Sequence, residues 1–190
     1  MNKAFVNNKA FKNKDFTTTP LEKAEYDSCR FVNCYFENSD LSTIGFIDCV
    51  FEDCNLTNAK LNGVSLHDVA FINCKLVGML FNNCGGFTFS PRFEGCLLKL
   101  ASFYQVNASN VVFRNCSLQE VDFTEANVTG SMFDDCDLRN AIFSNSNLEK
   151  ADFKTAYNFS IDPERNRLKK AKFSVAGLKG LLEKYKIEVD

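Results

Sequence analysis

Nine cysteines and a single histidine are the most reactive side chains of this 190-residue chain. Thiols and an imidazole can ligate zinc, cycle between redox states or form a nucleophile–base pair. Spacing decides among these. No two cysteines stand as C-x-x-C, and His67 has no sequence-evident Cys or Ser partner. Cys34, Cys54 and Cys74 recur every 20 residues, and Cys96, Cys116 and Cys136 resume after one step of 22. Such recurrence fits small buried hydrophobes that exchange with Ala and Ser. The expectation is nine free thiols, no metal and no cofactor. Acid pairs such as Glu52–Asp53 and Asp134–Asp135 are the other candidates, as general acid and base. They fall on outward turn positions, with no predicted cleft to shift a pKa. Phosphate loops, dinucleotide fingerprints, zinc-protease helices, nucleophile elbows and EF-hand loops are absent. The chain is predicted not to be an enzyme, and no catalytic residue is named.

The elements that place these residues follow from a period of five. Large apolar residues stand at Phe31, Phe36, Leu41, Phe46, Phe51, Leu56, Leu61, Leu66, Phe71, Leu76 and Phe81 without a miss. The pattern breaks near 85–92 (GGFTFSPR), resumes at Phe93 two residues out of phase, and runs to Phe153. Backwards it reaches Tyr26, Leu21, Phe16 and Phe11. Two residues before each centre stands a small residue: Cys29, Cys34, Ser39, Cys49 and Ala59 are examples. Two residues after it, Asn, Asp or Gly dominates. Between Asn33 and Asn83 only Thr43 departs from those three types. Residues i and i−2 point to the same side of an extended segment, and Asn, Asp and Gly turn the chain. One large and one small inward group, then a turn, make a straight edge and a corner. Four edges close a square coil of 20 residues, and Phe11, Phe31, Phe51 and Phe71 keep that spacing. A helix would need apolar spacings of three and four. A leucine-rich repeat shares the longer period but does not place Phe or Leu every five residues on all four faces.

A small residue, a polar one, Leu or Phe, then two polar ones is a pattern that resembles the pentapeptide-repeat family. The resemblance covers about residues 9–173. It implies an all-β solenoid, a right-handed quadrilateral parallel β-helix of about eight coils, and that hand agrees with the rule for parallel crossovers. Residues 1–173 are expected to form this β-helix, with a two-residue phase break near 85–92 read as a small bulge or, alternatively, a binding loop. Residues 174–190 are expected to form a short C-terminal helix and tail. Ser174 fits a helix N-cap. Val175, Leu178, Leu181, Leu182 and Tyr185 fall at helical spacing, while Gly177 and Gly180 weaken the helix. Ile187 and Val189 make an alternating tail. A solenoid needs its ends covered. The C-terminal residues therefore read as a cap or, as in similar proteins, a homodimer contact, and one element can serve both through a two-fold axis.

Function is sought on the outward faces, because solenoids bind partners along them. The best-known family members are Qnr-type proteins, which protect DNA gyrase and topoisomerase IV from quinolones as acidic imitations of DNA. Net charge is −2 and pI about 5.5, against a direct nucleic-acid binder. Residues 31–153 hold 15 acids and 7 bases, a net of −8. The most acidic column holds Glu52, Asp53, Glu94, Asp134, Asp135 and Asp152, interrupted by Arg92 and Arg114 and flanked by Arg30 and Lys154. Asp122 and Glu125 complete the candidate contact residues. A protein partner is expected, either an unspecified one held by a scaffold or, alternatively, gyrase or topoisomerase IV. No apolar run reaches the roughly 18 residues a membrane span requires. The first residues, MNKAFVNNKAFKNKDF, hold no signal-peptide core. The cytoplasm is the expected compartment, where thiols stay reduced. The glycosylation-type triplets at Asn55, Asn107, Asn115, Asn127 and Asn158 then read as accidents of an Asn- and Ser-rich repeat.

Overall fold

The structure, a computed structural model, describes residues 4–85 and 89–188. Gly86 of the break and Val189 of the expected tail lie outside the described residues. Short strands follow one another: β1 (Ala4–Asn7), β2 (Ala10–Lys12), β3 (Ala24–Asp27), β4 (Arg30–Val32), β5 (Gly45–Ile47), β6 (Val50–Glu52), β7 (Ser65–His67) and β8 (Ala70–Ile72). After the break come β9 (Arg92–Glu94), β10 (Val112–Arg114), β11 (Met132–Asp134), β12 (Asp152–Phe153) and β13 (Lys172–Phe173). One nine-stranded sheet runs β2-β4-β6-β8-β9-β10-β11-β12-β13, and a four-stranded sheet runs β1-β3-β5-β7. Every pairing is parallel, with Phe31 opposite Phe51, Phe71 opposite Phe93 and Phe113 opposite Phe133. The remaining sides are held by single parallel bridges, such as Tyr35–Asn55–Lys75–Leu97 and Leu80–Ser102–Asp122–Ile142. The result is a four-sided parallel β-solenoid of about eight turns.

The period-five grid accounts for the core. Large centres point inward and are buried from Phe16 to Phe153, with most of their small partners; Ser39, Cys84 and Val106 are half-buried. Rings of the Phe31 column lie face to face: Phe31–Phe51 at 4.6 Å and 8°, Phe93–Phe113 at 5.1 Å and 4°. Rings of the opposite column meet them edge on, as Phe103–Phe113 does at 5.7 Å and 87°. Both geometries match the quadrupole preference of aromatic pairs. Corner residues adopt positive φ, which explains the Asn, Asp and Gly there: Asn33 at 51°, Asp53 at 53°, Gly78 at 68°.

A side-chain acceptor just before a centre is one feature that accompanies loss of strand, although Tyr35, Lys75 and Leu97 sit on bridges without one. On the Phe31 column Arg30, Val50, Ala70, Arg92, Val112 and Met132 precede the centre, and three-residue strands form. Asp152 is the next in that series. Its Oδ1 accepts the Lys154 N–H at 3.1 Å, and β12, like β13 after it, is two residues long. Asn127 and Asn147 likewise hold the N–H of Thr129 and Glu149, and their column forms bridges in place of strands. A side-chain acceptor thus competes with the neighbouring coil for the backbone donor.

The break is absorbed at one corner. Phe81–Asn83 forms a 3-10 turn, and Phe89 then pairs with Leu66. Ser90 Oγ accepts the Asp68 N–H at 2.8 Å. The ring of Phe89, off the five-residue grid, enters edge on against Phe81 at 5.9 Å and Phe103 at 6.2 Å. The four-stranded sheet stops here, while the nine-stranded sheet passes from β8 to β9 in register.

At the C-terminal end the expected helix is shorter than its apolar spacing suggests. A 3-10 turn (Ala176–Leu178) leads into α1 (Lys179–Leu182), and a second 3-10 turn (Glu183–Tyr185) ends it. The N-cap position falls on Val175, one residue after the expected Ser174, whose Oγ nevertheless accepts the Gly177 N–H at 3.1 Å. Gly177 and Gly180 face the ring of Phe159, and a Cβ at Gly180 would collide with the Phe159 carbonyl oxygen. The glycines that lower helix propensity are therefore what lets this segment lie directly on the last coil.

Candidate partner-binding faces

Six of the eight acidic candidates share one face. Glu52, Glu94, Asp134 and Asp152 stand on β6, β9, β11 and β12, while Asp53 and Asp135 occupy the following corners. Asp122 and Glu125 belong to a different side, around Phe123. The acidic face is extensively neutralised. Arg30 reaches Glu52 at 2.8 Å, and Arg114 reaches Asp134 at 3.1 Å. Lys154 and Lys172 each lie 3.5 Å from Asp152. Lys172 is a neutralising residue that charge counting over 31–153 misses, because it belongs to the next coil. Its signal was the 20-residue step from Asp152. On the other side, Glu125 accepts a hydrogen bond from Gln105 at 2.7 Å, and Asp122 holds the Thr124 N–H at 2.8 Å.

The C-terminal candidates divide. Leu181 packs against the core and Leu182 is half-buried, while Val175 is 86% exposed. Leu178 and Tyr185 are exposed as well, and Tyr185 donates its hydroxyl to Glu164 at 2.8 Å. Lys184 bridges Asp162 and Glu164, at 2.5 and 2.7 Å, and fastens the segment to the loop after the last full coil. A cleft of about 890 Å³ remains between this segment and the solenoid, lined in part by Arg139, Tyr157, Phe159, Lys179 and Lys186.

Asp137, beside the acidic pair at 134 and 135, is the most enclosed carboxylate. Gln119 Nε2 donates to its Oδ2 at 2.6 Å; Asn158 Nδ2 and the Arg139 N–H donate to Oδ1 at 2.8 and 3.1 Å. Burial alone would raise its pKa, but these donors outweigh burial and hold it below the ordinary aspartate value. It ties three successive coils together.

The cysteines are all free, and all but the half-buried Cys84 are fully buried. Cys54, Cys74 and Cys136 direct their thiols to the carbonyls of Phe31, Phe51 and Phe113, at 3.3, 3.4 and 3.5 Å. Ser131 and Ser146 occupy equivalent inward positions and donate to Ala108 and Phe123 carbonyls at 2.7 Å. Burial pushes the Cys49 and Cys84 thiols up to about 12. Among the described residues no three His, Cys, Asp or Glu side chains gather as a metal site. His67 is half-buried on β7, its Nε2 at 3.3 Å from the Asp68 carboxylate. No helix among the described residues is long and apolar enough to cross a membrane.

Comparison with known proteins agrees with this architecture. The solved structure of a trypsin-treated variant of QnrB1, a plasmid-mediated fluoroquinolone resistance protein, is 22% identical with a TM-score of 0.54. The match covers 100% of this chain and 92% of that one. HetL, a pentapeptide repeat protein involved in heterocyst differentiation regulation from the cyanobacterium Nostoc, is 14% identical with a TM-score of 0.60. There 93% of this chain and 89% of that one are covered. No curated protein matches the chain. The family described as pentapeptide repeat region matches residues 24–85 and 88–157, more than half of the sequence. With a period of five, inward Phe and Leu centres and left-handed corners throughout, the chain belongs to the pentapeptide-repeat family.

Proposed function

We propose that the protein is a non-enzymatic scaffold that binds a protein partner along its outward faces. The observation that carries this reading is the division of labour within the repeat. Inward positions are consumed by the ring stacks, while the outward positions other than the corners differ in type from coil to coil on a rigid frame. Rigid repetitive faces are what solenoids offer to partners. Cytoplasmic residence fits its free cysteines. The C-terminal segment serves as a cap or as a homodimer contact, which analytical ultracentrifugation separates.

A Qnr-like second reading is supported by the net charge of −8 over residues 31–153 and by the fold shared with QnrB1. In it the acidic face imitates DNA, binds DNA gyrase or topoisomerase IV and modulates quinolone sensitivity. The arginines and lysines paired with Glu52, Asp134 and Asp152 weaken the field such a mimic needs. A gyrase supercoiling assay with and without a quinolone separates the two. Inhibition, or rescue from the drug, at micromolar protein and loss of the effect in Asp134→Lys/Asp135→Lys support the mimic. No effect at tens of micromolar removes it and leaves the scaffold.

A further inference from the structure

The C-terminal segment is fastened to the solenoid along one side. Lys184 bridges Asp162 and Glu164, Tyr185 donates its hydroxyl to Glu164, and the Ile161 N–H donates to the Gly180 carbonyl at 2.9 Å. Among the described residues, every hydrogen bond and ion pair that ties residues 174–188 to earlier ones ends on residues 161–164. Toward Arg139 and Tyr157 the segment makes no such bond, and the cleft of about 890 Å³ stays open there. That volume lies in the range of small-molecule sites.

Charge in this cleft is one-sided. Arg139, Lys179 and Lys186 line it, and none of them makes an ion pair among the described residues. Glu183 is the one acid in the lining. Arg139 helps hold down the pKa of Asp137, but that carboxylate already accepts from Gln119, Asn158 and the Arg139 N–H. Three cations against one acid leave a positive field in a space partly walled from water, where charge acts more strongly than on an open surface. Much of the remaining wall is apolar, with the exposed ring of Tyr157 and with Phe159, Leu182 and Ile187. Asn140 and Ser160 add uncharged hydrogen-bonding groups. An inorganic anion would answer the charge and leave the apolar wall wet. An uncharged apolar molecule would cover the wall and desolvate the cations without a partner. A molecule with an acidic group on an apolar body satisfies both.

We propose that this cleft binds a small organic anion, with its acidic group held by Arg139, Lys179 and Lys186 and its apolar body against Tyr157, Leu182 and Ile187. The site lies apart from the acidic face, and the proposal goes beyond the scaffold reading without resting on it. A bound anion joins the C-terminal segment to the coils of Arg139 and Tyr157 on the side where no hydrogen bond does, and stabilises the end of the solenoid by mass action.

The test titrates the full chain with anilinonaphthalene sulfonate, a fluorescent organic anion, and with phenylnaphthylamine, its uncharged counterpart. The variants are Arg139→Gln/Lys179→Gln, Lys186→Gln and Tyr157→Ala. Lys60→Gln/Lys75→Gln serves as a control with the same charge change on earlier coils. The sulfonate should bind one saturable site at micromolar concentration and weaken with salt. Arg139→Gln/Lys179→Gln should weaken it more than about tenfold, and Lys186→Gln or Tyr157→Ala about threefold. The control should change it less than about twofold. All replaced side chains are exposed, so each variant should melt within about 2 °C of wild type. Displacement by naphthoate or by naphthyl phosphate supports the site and identifies the acidic group as carboxylate or phosphate; displacement by neither overturns the proposal. Equal affinity for phenylnaphthylamine overturns it, since the cleft would then select apolar surface alone. An equal loss in the Lys60→Gln/Lys75→Gln control overturns it as an effect of diffuse charge. Absence of saturable binding at millimolar sulfonate overturns it as well.

Discussion

Replacing Phe113 by alanine should cost far more than the same change at Phe173, although both rings belong to one column. Phe113 is fully buried. It stacks on Phe93 at 5.1 Å and on Phe133 at 5.1 Å, and meets Phe103 and Phe123 edge on at 5.7 and 6.1 Å. Truncating a buried Phe costs about 3–5 kcal/mol, rising with the cavity that fails to collapse. Here collapse is hindered, because each neighbouring ring is held at coil spacing by its own hydrogen-bonded backbone. The upper end, about 5 kcal/mol, is therefore expected for Phe113→Ala. Phe173 closes the column, is only half-buried, and meets Phe153 at 5.2 Å and Phe159 at 5.6 Å. Half the ring contacts and an open side reduce its expected cost to about 2 kcal/mol. Urea denaturation followed by far-UV circular dichroism measures both, read with native-state hydrogen exchange to detect fraying of the terminal coil. Costs equal within about 1 kcal/mol would refute the reasoning, since they would mean that continuity of the ring column contributes nothing beyond single-site burial.

Two further outcomes follow from buried polar groups. Asp137→Asn turns one acceptor into a donor facing Gln119, Asn158 or the Arg139 N–H, and should destabilise by about 1–3 kcal/mol at neutral pH. The folded-state pKa of Asp137 is depressed, so its contribution is complete above the unfolded value and is lost as pH falls through the folded one. The gap between wild type and variant should accordingly narrow below about pH 4 in urea titrations, and a gap constant with pH would refute this account. Ser131→Ala should cost about 1 kcal/mol by leaving the Ala108 carbonyl without the hydroxyl donor, while Ser131→Cys should cost less, because Cys74 and Cys136 make the same kind of contact. Equal losses in thermal denaturation would remove the equivalence drawn between the two residue types.

Much of the fold was legible because one rule repeats. The alternation of Phe31, Cys34, Phe36 and their successors specifies inward positions whatever side they fall on, and burial follows it except at a few small partners such as Ser39, Cys84 and Val106. Phe89 escaped this reading because it satisfies the column of Leu66 only after an irregular corner, where the count of five does not apply. The split of the C-terminal leucines escaped as well. Helical spacing identifies a shared stripe, but Gly177 and Gly180 bring a different side of the segment onto Phe159 and leave Val175 and Leu178 outside. At the acidic face, the carboxylates were visible in sequence while their neutralisation was not, since Arg30–Glu52 and Lys172–Asp152 join residues of successive coils.

The sameness of the inward rule on all four sides gives chain length an angular meaning. Five residues added at a corner would still supply each following edge with one large and one small inward group. They would, however, carry everything downstream around the axis by one side. The change would bring Phe over Leu in some columns, so packing quality would decline without the core losing its character. The outward charges would be redistributed: a stripe along one wall would step to the next, a quarter-turn away. In such a molecule insertions and deletions act as rotations, and partner choice can be redialled by length before any contact residue is replaced.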